Sequence, residues 1–366
     1  MWVSSFCKEC YSVKISVCMI VKNEQEQIER ALASIPDHYE IIVIDTGSTD
    51  RTIEIALKYH AVVHRLEWKN HFAEARNFSI SKATGEYIFI LDADEEMDSD
   101  TQQNIERFIE LHKGRAASVM IHNESETEPT RHRAVRLFPN NSNYKFAGSV
   151  HEQLTNQGKQ VEYLNSSITI KHYGYLKQSY DDKKKFERYV KLYEESLRNN
   201  ENDGYMLYQL GKLYYSTGKY REAYDPLMKA VNLQQLDKMY YPPLLVMFGY
   251  TLKELGMAKN AYEFVSSVSE RYSQYPDLAF LKGILAMEAG FFDQIEPAYK
   301  KALEIGDTDI YTTVVGCGTY RAAHNLAVFY EVTNNLDSAK YWYSEAIRYD
   351  FEPSVKRLME LSKKTK

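Results

Sequence analysis

The segment Tyr87-Ile88-Phe89-Ile90-Leu91-Asp92-Ala93-Asp94-Glu95-Glu96 joins an apolar strand directly to carboxylates at two-residue spacing. Alternate residues of an extended chain share a face, so Asp92 and Asp94 can converge on one hard cation such as Mn²⁺ or Mg²⁺. A solvated acidic turn can have the same short sequence. The neighbouring segments are therefore needed to decide between a metal site and a turn.

Two further strands that end in polar turns precede this segment. The first is predicted over Ile15 to Val21, followed by Lys22-Asn23-Glu24, and the second over Ile41 to Ile44, followed by Asp45-Thr46-Gly47-Ser48-Thr49-Asp50. Apolar residues at helical spacing follow each turn. Repeated strand-helix units predict an α/β nucleotide-binding half domain whose ligand binds beyond the strand ends. No G-x-G-x-x-G or G-x-x-x-x-G-K-[ST] sequence occurs, which argues against a dinucleotide enzyme or a P-loop NTPase.

Together these segments resemble a family 2 glycosyltransferase of the GT-A fold. The resemblance also includes Trp68 and the run Phe72-Ala73-Glu74-Ala75-Arg76-Asn77. Later segments are similar to the subgroup that carries helical repeats behind the catalytic domain, and within it to the peptide glycosyltransferases that modify bacteriocin precursors of the sublancin and thurandacin type. These segments are Arg136-Leu137-Phe138, Phe146-Ala147-Gly148-Ser149-Val150-His151-Glu152 and Ile170-Lys171-His172-Tyr173-Gly174-Tyr175.

The resemblance implies a UDP-sugar donor, such as UDP-glucose or UDP-GlcNAc, and a divalent metal. It implies that Asp45 hydrogen-bonds the uracil, with Asn23 or Glu24 nearby. Asp92 would face the ribose or the second coordination shell of the metal, and Asp94 would bind the metal directly. The predicted donor site comprises Val21, Asn23, Glu24, Asp45, Arg76, Asp92 and Ala93.

Glu152 lies where the resembling family places an acceptor-side acid, which makes it the predicted general base of an inverting displacement. A salt bridge to Arg133 or Arg136 is the structural alternative. Arg76 is the predicted diphosphate contact by its family position, because a guanidinium can bind two phosphate oxygens, with Arg131 and Arg133 as weaker candidates.

His172 follows the short apolar strand Ser167-Ile168-Thr169-Ile170. Imidazole is an ordinary ligand for Mn²⁺-like ions, so His172 is predicted as a second metal ligand beside Asp94. A structural or phosphate-contacting histidine is the alternative.

From about Asp203 the sequence changes to a helical repeat pattern. Small residues recur at Gly211, Gly249, Gly283 and Ala327, which are 38, 34 and 44 residues apart, close to the ~34-residue tetratricopeptide period. The pattern predicts four helical hairpins, with an insertion near residues 310–316. A connecting helix is predicted before them from the apolar stripe Phe186, Tyr189, Val190, Tyr193 and Leu197.

Tyrosine is concentrated in the repeats, because 19 of the chain's 30 tyrosines lie between Tyr205 and Tyr349. Most are expected to fill the core between helices. The others are candidates for a concave peptide-binding surface or for a homodimer interface.

Composition narrows the class of protein. The net charge of −6 with both signs interspersed gives no basic surface for nucleic acid, and no stretch approaches the ~18 apolar residues of a membrane span. The first residues lack a signal-peptide pattern, so a soluble cytoplasmic enzyme is expected. Cys7 and Cys10 have half of a zinc-site spacing without a second pair, and free thiols are expected.

The sequence thus predicts an α/β GT-A domain over residues 13–178 after an extension of residues 1–12, a connecting helix over 179–200 and an all-α tetratricopeptide-like domain over 201–366. The predicted activity is metal-dependent, inverting transfer of a hexose to a Ser, Thr or Cys side chain of a peptide or protein. A saccharide on a lipid or cell-surface polymer is the alternative acceptor. A non-catalytic repeat scaffold is the alternative from another class.

Overall fold

The computed structural model describes residues 13–125, 128–148, 150–174 and 182–364. The chain divides into two compact units. One contains the residues up to Glu124 together with Arg133–Lys177, and the other contains Ser125–His132 and Gln178–Lys366. Cys7 and Cys10 lie outside the described residues.

The first unit is an α/β sheet domain. Its elements begin β1 (Ile15–Val21), α1 (Ile28–Ala33), β2 (Glu40–Asp45), α2 (Thr52–Lys58), β3 (Val62–Arg65), α3 (Phe72–Lys82) and β4 (Tyr87–Ile90). They continue with β5 (Glu95–Met97), α4 (Thr101–Leu111), β6 (Ala116–Asn123), β7 (Thr130–Pro139), β8 (Tyr144–Ala147), β9 (Gln153–Asn156), β10 (Lys159–Gln160) and β11 (Tyr163–His172).

The main sheet has the strand order β3-β2-β1-β4-β7-β6-β11-β5, and β8, β9 and β10 form a small separate sheet. Strand β1 is parallel to β2 on one side and to β4 on the other. The chain order therefore reverses at β1, and a sheet of this kind binds ligands beyond the strand ends at such a point.

The central strands are buried because apolar residues line both of their faces. Strand β4 is buried along its whole length, and in β1 every residue but Ile20 is buried. Helices cover the sheet with apolar stripes, for example Ile105, Phe108 and Ile109 on α4. This rigid layer holds the polar strand ends in place.

The second unit is helical. Its elements are α5 (Asp182–Asn199), α6 (Gly204–Ser216), α7 (Tyr220–Asn232), α8 (Tyr241–Glu254), α9 (Ala258–Ser269), α10 (Pro276–Ala289), a 3₁₀ turn (Phe292–Gln294), α11 (Ile295–Ile305), β12 (Thr313–Val314), α12 (Tyr320–Val332), α13 (Leu336–Ile347) and α14 (Glu352–Lys364). Helices α6 to α13 form the four predicted hairpins, and the predicted insertion separates α11 from α12. The fold class predicted from the sequence, an α/β domain followed by helical repeats, is confirmed.

Small residues lie where neighbouring helices cross, as the repeat pattern predicts. A Cβ on Gly249 would lie 2.8 Å from a Leu281 methyl carbon, and one on Gly283 would lie 2.7 Å from the Tyr299 ring. The absence of a side chain lets the backbones approach closely. Helix α5 spans Asp182–Asn199, and its Phe186 ring lies 6.0 Å from that of Tyr214 on α6.

The tyrosines of the repeats are mostly packed. Buried examples include Tyr275 and Tyr343, whereas Tyr341 and Tyr349 are exposed. Core filling therefore explains most of the tyrosine enrichment. None of the helices in the described part of the chain is long and apolar enough to span a membrane.

A buried carboxylate anchors the insertion before α12. Asp277, in the first turn of α10, accepts hydrogen bonds from the backbone N–H of Val314 at 2.8 Å and from the hydroxyl of Thr313. Burial raises the pKa of Asp277 to about 7, against its ordinary value of 3.8. The folded chain therefore holds this proton more tightly than the unfolded chain.

We predict that Asp277→Asn changes how stability depends on pH. Between about pH 4 and pH 7 the unfolded state releases the Asp277 proton more readily than the folded state, so this group lowers the free energy of unfolding as the pH rises. Asparagine has no such proton. Denaturant unfolding at several pH values measures this. From pH 4.5 to pH 7.5, the free energy of unfolding of the variant should rise relative to that of the wild type. A stability difference that does not vary with pH would contradict the prediction.

Candidate functional site

The predicted donor residues of β1 and β2 lie side by side. Val21 at the end of β1 pairs with Asp45 at the end of β2. The Val21 carbonyl accepts hydrogen bonds from both the N–H and the hydroxyl of Thr46, each at 3.0 Å. The buried Asp45 carboxylate accepts from the N–H groups of Ser48 at 3.0 Å and Gly47 at 3.3 Å. In this structure, Asp45 thus stabilises the turn that follows its own strand.

A second set of bonds joins the turns after β1 and β2. Asn23 has a positive φ of 58°, and its Oδ1 accepts from the N–H of Thr49 at 2.8 Å. The N–H of Glu24 donates to the hydroxyl of Thr52 at 2.7 Å. Both turns are therefore held together beside the end of the sheet, where the sequence predicts the nucleoside.

Asp92 lies between two arginines at the end of β4. Its Oδ1 accepts from Nη2 of Arg76 at 2.6 Å, and its Oδ2 accepts from Nη2 of Arg136 at 3.3 Å. Burial would raise the pKa of Asp92, but the two guanidinium charges outweigh it and hold the pKa well below its ordinary value. Asp92 is therefore ionised at neutral pH.

Glu95 completes this network, although the sequence analysis assigned it no role. Its side chain is 2% exposed, accepts from Nη2 of Arg136 at 2.8 Å and accepts from the N–H of Asp92 at 2.8 Å. Burial raises its pKa to about 7, against the opposing charge of Arg136. The alternation of β5, which buries Glu95 and Met97 but not Glu96, is the sequence signal that would have identified it.

Glu152 is also part of the network. Its Oε1 accepts from Nε of Arg76 at 3.0 Å, and its side chain is 12% exposed. Arg76 is buried, so one guanidinium joins the predicted base to Asp92. The two arginines considered as alternative partners of Glu152 make other contacts. Arg133 donates to the carbonyl of Ser166, and Arg136 donates to Asp92 and Glu95.

Arg131 and Ala93 are the remaining candidates for the donor site. Arg131 belongs to the second unit, where it donates to the carbonyl of Thr308 at 3.1 Å. Ala93 is buried between the two aspartates of the D-x-D segment. Neither position tests a role in donor binding.

Asp94 and His172 converge. Oδ2 of Asp94 lies 3.2 Å from Nε2 of His172, and both side chains are partly exposed. The other ring nitrogen, Nδ1, lies 2.8 Å from Oδ1 of Asn123. A carbonyl oxygen there favours Nδ1–H, and when the ring is protonated Nε2–H donates to the Asp94 carboxylate; a bound cation would take the place of that proton. Burial lowers the pKa of His172, but the Asp94 carboxylate outweighs it and raises the pKa overall.

These residues fit a divalent cation as two of its ligands. Neighbouring ligands of an octahedral ion at about 2.1 Å lie about 3.0 Å apart, close to the observed 3.2 Å. Within the described residues, no group of three or more His, Cys, Asp or Glu side chains could hold a metal. Water and phosphate oxygens would supply the remaining positions, as is usual for Mg²⁺ at phosphate sites.

Comparison with known proteins agrees with this architecture. Residues 16–183 match the family "Glycosyl transferase family 2", and residues 205–235 match the family "Tetratricopeptide repeat". A TPR repeat-containing protein of Synechococcus elongatus is 32% identical over 57% of this chain and 54% of its own. The SPbeta prophage-derived glycosyltransferase SunS of Bacillus subtilis is 31% identical over 60% of this chain and 53% of its own. The chain spans about half the length of these curated relatives.

Among solved structures, MamA is similar over 49% of this chain and 98% of its own, with 20% identity and a TM-score of 0.39. Glucosyl-3-phosphoglycerate synthase of Mycobacterium tuberculosis, solved with Mn²⁺, UDP and glucosyl-3-phosphoglycerate, is similar over 30% of this chain and 44% of its own, with 23% identity and a TM-score of 0.27. On these matches, residues 16–183 are similar to family 2 glycosyltransferases, residues 205–235 are similar to a tetratricopeptide repeat, and the chain is similar to SunS over 60% of its length.

Proposed function

We propose that this protein is a metal-dependent, inverting glycosyltransferase that moves a hexose from a UDP-sugar to a Ser, Thr or Cys side chain of a peptide or protein, such as a bacteriocin precursor. The observation that carries the proposal is the convergence of Asp94 and His172 at the strand ends, where parallel α/β sheets bind ligands. The family match of residues 16–183 supports the reaction class.

The residues of the first unit divide into a nucleoside side and a metal side. The turn residues Asn23, Glu24 and Asp45 would bind the base, and Asp94 and His172 would hold Mn²⁺ or Mg²⁺. When bound, such a cation neutralises charge on the diphosphate leaving group. Arg76 is the proposed contact of the diphosphate. Its buried Nη1 has no hydrogen-bond partner among the described residues.

Glu152 would accept the proton of the attacking hydroxyl or thiol. Arg76 holds one of its carboxylate oxygens and thereby orients the group. Because the same guanidinium binds Asp92, the predicted base and Asp92 form one positioned array.

The repeats are the proposed binding site for the peptide. A cavity of about 270 Å³ in the second unit is lined by apolar residues such as Leu278 and Ala298, by Ser273 and by the lysines Lys282 and Lys301. A cavity with an apolar surface and a few polar groups suits a side chain of an extended peptide. Stacked helical hairpins provide an extended surface around it.

We predict that Asp94→Ala lowers transfer at least ~100-fold and abolishes the response to Mn²⁺, because the site loses a direct metal ligand. The measurement is UDP release and product formation with and without added Mn²⁺. Asp98→Ala is the matched control, since Asp98 pairs with Lys171 and not with His172. EDTA-resistant, near-normal turnover of Asp94→Ala would disprove the metal assignment.

We predict that Glu152→Gln lowers transfer by ~10² to 10⁴ while UDP-sugar affinity persists. Glutamine retains an oxygen that can accept from Arg76 but cannot take a proton. Glu162→Gln is the control, because Glu162 is an exposed carboxylate at 89%. An equal loss of donor binding would assign Glu152 to the donor site instead. A cysteine acceptor would reduce the effect, because a thiol with a pKa of about 8.5 is already partly ionised at neutral pH.

We predict that Ser273→Trp raises the KM for a peptide acceptor roughly tenfold or more and leaves UDP-sugar hydrolysis unchanged, as expected when binding is lost far from the chemistry. Ser273 is exposed and lines the cavity. Ser267→Trp, at an exposed position of α9 outside the lining, is the matched control.

An unchanged peptide KM for Ser273→Trp would argue against docking at this cavity. If the repeats instead pair two copies of the chain, sedimentation would show a dimer. Turnover on a saccharide but not on peptides would favour the alternative acceptor, and a chain that neither binds nor hydrolyses UDP-sugars would be a scaffold.

A further inference from the structure

Gly174, two residues after His172, lies against the pair Asp94 and His172. A Cβ added to Gly174 would lie 2.6 Å from Oδ2 of Asp94 and 2.6 Å from Nε2 of His172. Its φ is not in the left-handed region that favours glycine, so the backbone conformation does not explain why this residue has no side chain.

We propose that the missing side chain of Gly174 leaves the space in which Asp94 and His172 bind the divalent cation of the donor, so that this residue determines metal binding. The inference rests on the proposed function and adds a residue to it. A methyl group at this position would be near both ligand atoms at once. It would compete for volume with an ion that must lie about 2.1 Å from each.

The backbone on the N-terminal side of Gly174 is held by several contacts. The N–H of Tyr173 donates to the carbonyl of Asp94 at 2.8 Å, and its hydroxyl donates to Glu96 at 2.8 Å. The Arg30 guanidinium lies 3.7 Å from the centre of the Tyr173 ring. These contacts hold the backbone before Gly174 against the turn that contains Asp94.

The His172 ring is also held. Its Nδ1 contacts Asn123, and its backbone pairs with Glu95 on β5 and Asn123 on β6. A methyl group at position 174 must therefore displace the Asp94 carboxylate, the imidazole or both. Either shift changes the positions of the two atoms that now lie 3.2 Å apart. The fold can survive this change, because both are ends of partly exposed side chains.

The test measures Mn²⁺ binding in the presence of UDP. Electron paramagnetic resonance quantifies the free Mn²⁺, and the shift in melting temperature reports binding independently. Gly174→Ala should weaken Mn²⁺ binding at least tenfold while its melting temperature without Mn²⁺ stays near that of the wild type. Tyr173→Phe is the matched control in the same loop, since it removes only the hydroxyl that contacts Glu96. It should bind Mn²⁺ like the wild type.

Wild-type Mn²⁺ affinity in Gly174→Ala would overturn the inference.

The outcomes also distinguish this inference from the proposed function. If the wild type binds Mn²⁺, Asp94→Ala does not and Gly174→Ala still does, only the role of Gly174 fails. If the wild type binds no Mn²⁺ with UDP, or binds it equally well after Asp94→Ala, the metal site fails and the inference fails with it.

Discussion

The charge pairing of Asp92 with Arg76 and Arg136 is the interaction on which the arrangement of the site depends. Arg76 extends it to Glu152, and Arg136 extends it to Glu95. Residues from α3, the segment after β4, β5, β7 and the segment before β9 therefore meet in one network. Removing one member of a buried ion pair costs about 3–5 kcal/mol, because the partner charge remains without compensation. The network therefore strongly favours a single arrangement of these elements.

The two aspartates of the D-x-D segment, Asp92 and Asp94, make different contacts. Asp92 pairs with two guanidinium groups, whereas Asp94, two residues later, lies 3.2 Å from Nε2 of His172. The side chains of the two aspartates are similarly exposed, at 28% and 29%, so their partners rather than their burial distinguish them.

The helical unit depends on a different constraint, which is the close approach of neighbouring helix backbones. Gly249 and Gly283 leave room for Leu281 and Tyr299, and aromatic side chains fill the spaces between helices. The insertion before α12 is tied to α10 through Asp277, a buried carboxylate whose pKa is raised. The stability of this unit therefore depends on close packing.

The sequence by itself determined strands β1, β2 and β4, the apolar segment of β11, the helical hairpins and the order of a sheet part and a helical part, because these follow from local periodicity and from small residues at a regular spacing. Strands β3 and β5 to β10 were not predicted. The sequence also predicted Asp94 and His172 as metal ligands, and the two side chains lie 3.2 Å apart. Only the tertiary structure decided which carboxylate meets which arginine. Glu152 is paired with Arg76 rather than Arg133 or Arg136, and Glu95 is buried in the same network, since such contacts join residues up to 76 positions apart. The position of Gly174 against both ligand atoms is likewise a product of chain packing, because no local pattern reports the distance from one loop to the end of another strand.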